Sequence, residues 1–280
     1  MARLLERLLR EEKFVSTPAL VVNKPGGGGA IALSYLNAHA GSGHYVMVSS
    51  PSVITSYLTG ISPVNYTEVT PLAQMGADYV GFTVRADSPI KSGRDLLDRF
   101  KTDVSAVSIA LANSPGNHNH IAAALLAKAA GGNIKRLKVV IFNGSAEAVT
   151  ALLGAHVEVV ANPVSALLQL SQAGKVRILG VSSESRLGGA LAALPTWKEM
   201  GVSAVSANWR TVIGPKSMSE EQVRFWDDAF GKIVRTALWK SDLDANLLGD
   251  TYLASAQAKK FMDQQYTELR SILGELGLLK

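Results

Sequence analysis

The chain has 280 residues, 47% apolar and 18% charged, enough to bury one large core or two modest ones and too apolar for a disordered chain. Its formal charge of +5 comes from scattered Lys and Arg with no basic stripe interleaved with aromatics, which argues against a nucleic-acid surface. The absence of cysteine excludes a thiolate zinc site, a thiol nucleophile and any disulfide, and no uncharged apolar run reaches the length of a membrane span.

Leu4, Leu5, Leu8 and Leu9, with Arg3, Glu6, Arg7 and Arg10 between them, trace one face of an amphipathic helix. It starts with no capping residue and lacks the apolar run and small-residue cleavage site of an export signal. The expectation is a chain that enters mid-helix, with preceding residues absent. A strand over 19–23 follows, then Lys24-Pro25 and four glycines, then a helix over 30–40. Residues 45–49 read as a strand. Ser50-Pro51 opens a helix that ends at Gly60, with serine as cap and proline in the first helical position.

The spacing predicts a strand over 79–84, a helix over 94–100 and a strand over 106–110. The polar turn Asn113-Ser114-Pro115-Gly116-Asn117 leads into an alanine- and leucine-rich helix closed by Gly131-Gly132. Two further strand–turn–helix units use 137–142, Asn143-Gly144-Ser145 and 146–153, then 157–161, Asn162-Pro163 and 164–173. Later come strands over 176–182, 208–213 and 252–254. A capping box at Ser219 and Gln222 starts a long helix, another helix runs to Leu248, and the last spans 255–276. Strands alternating with helices predict a mostly parallel, doubly wound α/β architecture.

Chemistry points to the turns. Ser49-Ser50-Pro51-Ser52, 113–117, Asn143-Gly144-Ser145 and Asn162-Pro163 each join an apolar strand to a helix. In an open α/β sheet such turns gather at the carboxyl ends of the strands, where ligands bind. They offer hydroxyl, amide and bare N–H donors and contain no carboxylate, so they suit a small anion at helix N-termini. The candidate binding residues are Ser50, Ser52, Ser114, Gly116, Asn117, Gly144, Ser145 and Asn162. Asn117 is the expected cap, and Gly116 admits a ligand close to the main chain. Ordinary structural turns remain the alternative, since a fold carries no function by itself.

Other constellations are poorer. His118 and His120 are two apart, a spacing that shares a face on a strand, yet they fall at a helix start, and zinc needs three or four convergent ligands. The glycine run after Pro25 lacks the Lys-Ser/Thr ending of a phosphate-binding loop, and no Gly-x-Ser-x-Gly elbow is present. Asp95, Asp98, Glu147, Asp227 and Asp228 read as solvated helix positions, and Glu158 as a strand residue with a partner. No metal site is expected from these residues. Of the four tryptophans only Trp209, beside Arg210, is a candidate to lie near a ligand.

With these residues laid out, the chain resembles the substrate-binding receptors of tripartite tricarboxylate transporters, the Bug receptors, over nearly its whole length. Val21-Val22-Asn23-Lys24-Pro25-Gly26-Gly27-Gly28-Gly29 is similar to that family's glycine-rich segment, and Gly116-Asn117-His118-Asn119-His120 to its Gly-Ser-x-x-His turn. The stretch from Phe142 to Ala148, Leu152-Leu153-Gly154 through Glu158, the segment 174–182 and Leu194-Pro195-Thr196-Trp197-Lys198-Glu199-Met200-Gly201 follow in family order. The family's serine is Asn117 here, its tyrosine Phe142 and its second glycine Ser145. The strand and turn with which the family begins are not in this sequence, so the expectation is a fragment, a mis-started chain, or a version that does not bind in the family's usual way.

The resemblance implies a type II periplasmic-binding fold, two α/β lobes joined by crossings near 102–104 and 207–210. Lobe 1 would then hold 1–103 and 209–280, and lobe 2 would hold 104–208. It also implies a periplasmic, monomeric receptor for a di- or tricarboxylate, amino acid or aromatic carboxylate, bound between the lobes and passed to membrane permease subunits with no cofactor and no catalysis. Rival readings are a ligand-sensing partner of a membrane kinase and an α/β enzyme using His118 or His120.

Overall fold

The computed structural model describes residues 1–112 and 114–280. In chain order its elements are α1 (Ala2–Glu11), α2 (Ala30–Asn37), β1 (Met47–Ser49), α3 (Ser52–Leu58), β2 (Val69–Arg85) and α4 (Gly93–Asp103). There follow β3 (Ser108–Ala112), α5 (His118–Ala129), β4 (Lys138–Phe142), α6 (Ser145–Leu153), β5 (Val159–Pro163), α7 (Leu168–Gln172) and β6 (Val176–Val181). The chain ends with β7 (Ala207–Pro215), α8 (Glu220–Ile233), α9 (Ala237–Ala245), β8 (Leu253–Ala254) and α10 (Ser255–Glu275).

These elements form two compact units. Unit 1 holds 1–77, 209–270 and 280, and unit 2 holds 78–208 and 271–279. The chain first changes unit inside β2, at Ala77 and Asp78, whereas the sequence places that crossing at 102–104, the end of α4. The difference comes from β2 itself, a strand of 17 residues. Pro71 and Gly76 break the apolar pattern of its first half, so only the second half is legible as a strand.

In unit 1, β1 pairs antiparallel with β7 (Met47 with Ile213, Ser49 with Thr211), and β8 pairs antiparallel with β2 (Ala73 with Ala254). Strand β7 lies beside β2, where Thr211 Oγ1 donates to Ala73 O at 2.9 Å. The amphipathic face of α1 is buried as its periodicity requires: Leu5, Leu8 and Leu9 join Leu72, Met75, Trp226, Phe230 and Trp239 in one apolar cluster. Trp226 and Phe230 stack one helical turn apart in α8, with centroids 5.1 Å apart. The capping box that opens α8 is present: Ser219 Oγ accepts from Gln222 N at 3.3 Å, and Gln222 Oε1 accepts from Ser219 N at 2.9 Å. The strand expected over 19–23 does not form, and Leu20 is 87% exposed. A short apolar run becomes a strand only where a neighbouring strand completes its ladder, and among the described residues none pairs with it.

Unit 2 is built on a mixed sheet. Strands β4, β3 and β5 lie side by side and parallel, while the second half of β2 pairs antiparallel with β5 on one edge and β6 on the other. The expected parallel order therefore holds for β3, β4 and β5 alone, because β5 and β6 both run back along β2. Ile109, Ala110, Leu111 and Ala112 of β3 are fully buried. Helices α5 and α6 pack on β3 and β5, and the buried Ala122, Ala123, Ala124 and Ala127 of α5 lend it a small-residue surface for close approach.

Candidate functional site

The registers put three of the expected turns at one end of the unit 2 sheet. Ala112 at the end of β3 pairs with Phe142 at the end of β4, and Ala110 pairs with Val160, two residues before Asn162 in β5. The parallel strands thus deliver the turns after β3, β4 and β5 side by side. A cavity of about 330 Å³, lined by Lys91, Arg94, Arg177, Leu179 and Met200 among others, belongs to the opposite end of this sheet, where Arg177 pairs with Val84. It contains none of the residues expected to bind.

The turn after β3 is largely occupied with itself. Its first residue, Asn113, lies outside the described residues. Asn117 is the N-cap of α5, its Oδ1 accepting from His120 N at 3.0 Å while its Nδ2 donates to Ala112 O. Gly116, at φ 75°, is buried and donates its N–H to His120 Nδ1 at 3.1 Å. Asn117 N donates to Ser114 O at 3.4 Å. The Gly116 N–H and the Asn117 NH₂, which the sequence offers as donors to a ligand, together with Asn117 Oδ1 as acceptor, therefore hold the turn and the helix start together. Burial keeps the His120 imidazole below its ordinary pKa, so it is neutral at pH 7, and with Nδ1 accepting, its proton sits on Nε2. This histidine serves as a built-in acceptor for the turn.

The turn after β4 is different. Gly144 occupies the N-cap position of α6 in an extended conformation (φ −162°, ψ 170°) and supplies no side chain to cap it. A Cβ built at Gly144 would have no heavy atom within 4 Å. The first intrahelical bond runs from Ala148 N to Gly144 O at 3.2 Å, so the N–H groups of Ser145, Ala146 and Glu147 precede the ladder. Glu147 folds back on the turn, its Oε2 accepting from Asn143 N at 3.3 Å and Asn143 Nδ2 at 3.2 Å. The turn thus has a carboxylate beside it that the sequence reading assigns to a solvated face.

Asn162, fully buried at the end of β5, ties these parts together. Its Nδ2 donates to Ser145 O at 3.3 Å, and its Oδ1 accepts from Asn119 Nδ2 at 3.4 Å. The structure therefore joins the α6 start, β5 and α5 through two side-chain amides. Asn119 is the member that the sequence reading misses. Its signal was available: it is a polar residue in the first turn of an apolar helix, passed over for the neighbouring His118 and His120.

In unit 1, Ser50 and Ser52 sit at the start of α3. Their hydroxyls lie 3.0 Å apart, and Ser52 N donates to Ser50 Oγ at 3.4 Å. Ser56 Oγ donates to Gly28 O at 3.0 Å, pinning the glycine run to α3. A Cβ at Gly28 would come within 2.7 Å of that hydroxyl, which accounts for glycine there. Trp209 is fully buried, with Nε1 donating to Gln265 Oε1 at 3.1 Å, and acts as a packing residue.

The fold and this arrangement of turns define a two-unit α/β solute-binding protein of the type II class. Over residues 1–278 the chain matches the tripartite tricarboxylate transporter family receptor model, and it belongs to that family. A relative is the UPF0065 protein in the gbd 5′ region of Cupriavidus necator, 27% identical over 96% of this chain and 80% of its own length. The TctC solute binding protein from Polaromonas, solved without ligand, superposes with a TM-score of 0.81 at 26% identity, covering 98% of this chain and 94% of its own. Two fold neighbours carry ligands. Rpa4515 of R. palustris, with adipate, has a TM-score of 0.80 at 21% identity over 99% of this chain and 91% of its own. MatC of Rhodopseudomonas palustris, with bound malate, has a TM-score of 0.74 at 18% identity over 97% and 92%. The family is one of periplasmic solute receptors and not of enzymes, which removes the enzymatic reading of His118 and His120. Among the described residues no helix is long and apolar enough to cross a membrane.

Proposed function

We propose that this chain is an extracytoplasmic receptor for a small organic acid, which it hands to membrane permease subunits of the tripartite tricarboxylate type. The ligand is a di- or tricarboxylate, an amino acid or an aromatic carboxylate. The observation that carries the reading is the open N-terminus of α6, a nine-residue helix whose cap position is a glycine with free space where a side chain would be. Three consecutive N–H groups and the positive end of the helix dipole form an anion site of the kind a carboxylate fills. Gly144 and Ser145 supply its backbone, Asn162 fixes it from beneath, and Ser114, Gly116 and Asn117 shape the adjoining turn. In unit 1, Ser50 and Ser52 are further candidate hydroxyl donors to an organic acid. Family membership supports the transport role and the periplasm, and the adipate and malate held by fold neighbours support the ligand class. The receptor acts as a monomer and needs no cofactor.

The test is titration calorimetry of the purified chain against a panel of such acids, alongside native mass spectrometry of whatever co-purifies. A folded protein that binds no member of the panel and carries no organic acid from its host would refute the proposal.

A further inference from the structure

Building on the carboxylate reading above, we propose that the ligand also carries a hydrogen-bond donor, a hydroxyl or ammonium group near its carboxylate, and that Asn119 Oδ1 receives it. The argument is one of polarity. Ser145 O is a carbonyl and can only accept, so Asn162 must turn its NH₂ toward it. That leaves Asn162 Oδ1 facing Asn119, which must answer with its own NH₂. Rotating either amide by half a turn sets two oxygens against each other, so the direction of the chain is locked at the Ser145 end. Its other end is therefore an acceptor.

That acceptor is Asn119 Oδ1. It is buried, and among the described residues it has no hydrogen-bond partner. The Asn119 side chain as a whole belongs to a residue 1% exposed. An oxygen held out of water without a donor is costly, and two polarised amides behind it strengthen its demand. It stands two hydrogen bonds from the helix start to which the carboxylate is assigned. A ligand that brings a donor gains that bond. One without a donor leaves the oxygen unpaired, which is how buried polar groups discriminate between analogues.

The experiment uses the full chain and pairs of acids that share a carbon skeleton and differ by one donor: malate and succinate, aspartate and succinate, citrate and tricarballylate. Calorimetry should find at least one donor-bearing member bound about tenfold or more tighter than its partner. In Asn119→Leu, close in size but without an acceptor, that ratio should collapse toward unity, whatever the change in affinity common to both members of a pair. Should Asn119→Leu fold poorly, Asn119→Ala, which removes the acceptor without adding an apolar branch, should collapse the ratio likewise. Equal affinities within every pair in the wild type, or a preference that persists in the folded variants, would overturn the inference and leave the carboxylate reading standing. Failure of every acid to bind the folded wild type would overturn both.

Discussion

Replacing Gly144 by aspartate sets stability against binding. The residue is extended at φ −162°, a conformation open to any side chain, and free space surrounds the position of its Cβ. An aspartate there would cap α6 by accepting from the N–H groups of Ala146 or Glu147. Against glycine, capping gains a few tenths of a kcal/mol, and the helix dipole adds about 0.3–1 kcal/mol, reduced by repulsion from nearby Glu147. Thermal unfolding should therefore be unchanged or shifted slightly upward. Binding should suffer, because the new carboxylate occupies the donors and stands about 4 Å from the charge it would have to admit. At an effective dielectric of about 20 that repulsion is about 4 kcal/mol, a loss of about a thousandfold in affinity. Gly144→Asn caps as well without the charge and should lose only about tenfold. Calorimetry of the two variants at low and high salt separates the terms, since added salt should narrow the gap between them. If Gly144→Asp is folded and binds as the wild type does, the anion does not sit at the α6 start.

Other outcomes follow from groups already described. Asn117→Ala removes the cap of α5 and should lower unfolding stability by about 1–2 kcal/mol, read from urea melts. Because burial holds the folded-state pKa of His120 below its unfolded value, the unfolded chain binds more protons under acid conditions. The stabilising term is thus complete above the ordinary histidine pKa of about 6.5 and is lost as the pH falls below it. His120→Gln, which retains an acceptor for Gly116 N–H, should flatten the fall in stability between pH 7.5 and 5, and an unaltered slope would contradict this. Ser50→Ala combined with Ser52→Ala should weaken the organic acid about tenfold with little change in melting temperature. Unchanged affinity would show that these two hydroxyls do not hold the acid.

Much of the scaffold was legible because apolar runs ended at strong punctuation. The turns at Asn143-Gly144-Ser145 and Asn162-Pro163 follow β4 and lie at the end of β5, and the Ser219 capping box is where its spacing placed it. The failures have physical causes. Residues 19–23 have strand composition but no partner, and sequence cannot report a ladder that depends on a distant edge. Val69 to Ala77 carry a proline and a glycine that local rules read as interruptions, whereas tertiary pairing with β7 and β8 carries the strand through them. In the site, donor-rich composition was visible, but which donors are spent internally was not. Gly116 and Asn117 have the residue types of an anion turn and use them on His120 and Ala112. Asn119 went unnoticed because its importance lies in a chain of partners spread over three elements.

The division of the chain has a consequence for how the protein assembles. Unit 2 is drawn almost wholly from one continuous stretch, 78–208, whereas unit 1 needs residues 1–77 to meet 209–270. The loop that must close before Leu8 can find Trp226 and Phe230 encompasses the whole central part of the sequence. Distant pairings of this kind form late, so the central unit acquires its protected amides first and the flanking one matures afterward. Until then the leucine face of α1 is bare, and that window is when the nascent chain is most exposed to aggregation. Pulse-labelled hydrogen exchange during refolding would register the order: protection in β1 and β7 arriving together with that in β3 and β5 would argue for a single concerted event instead.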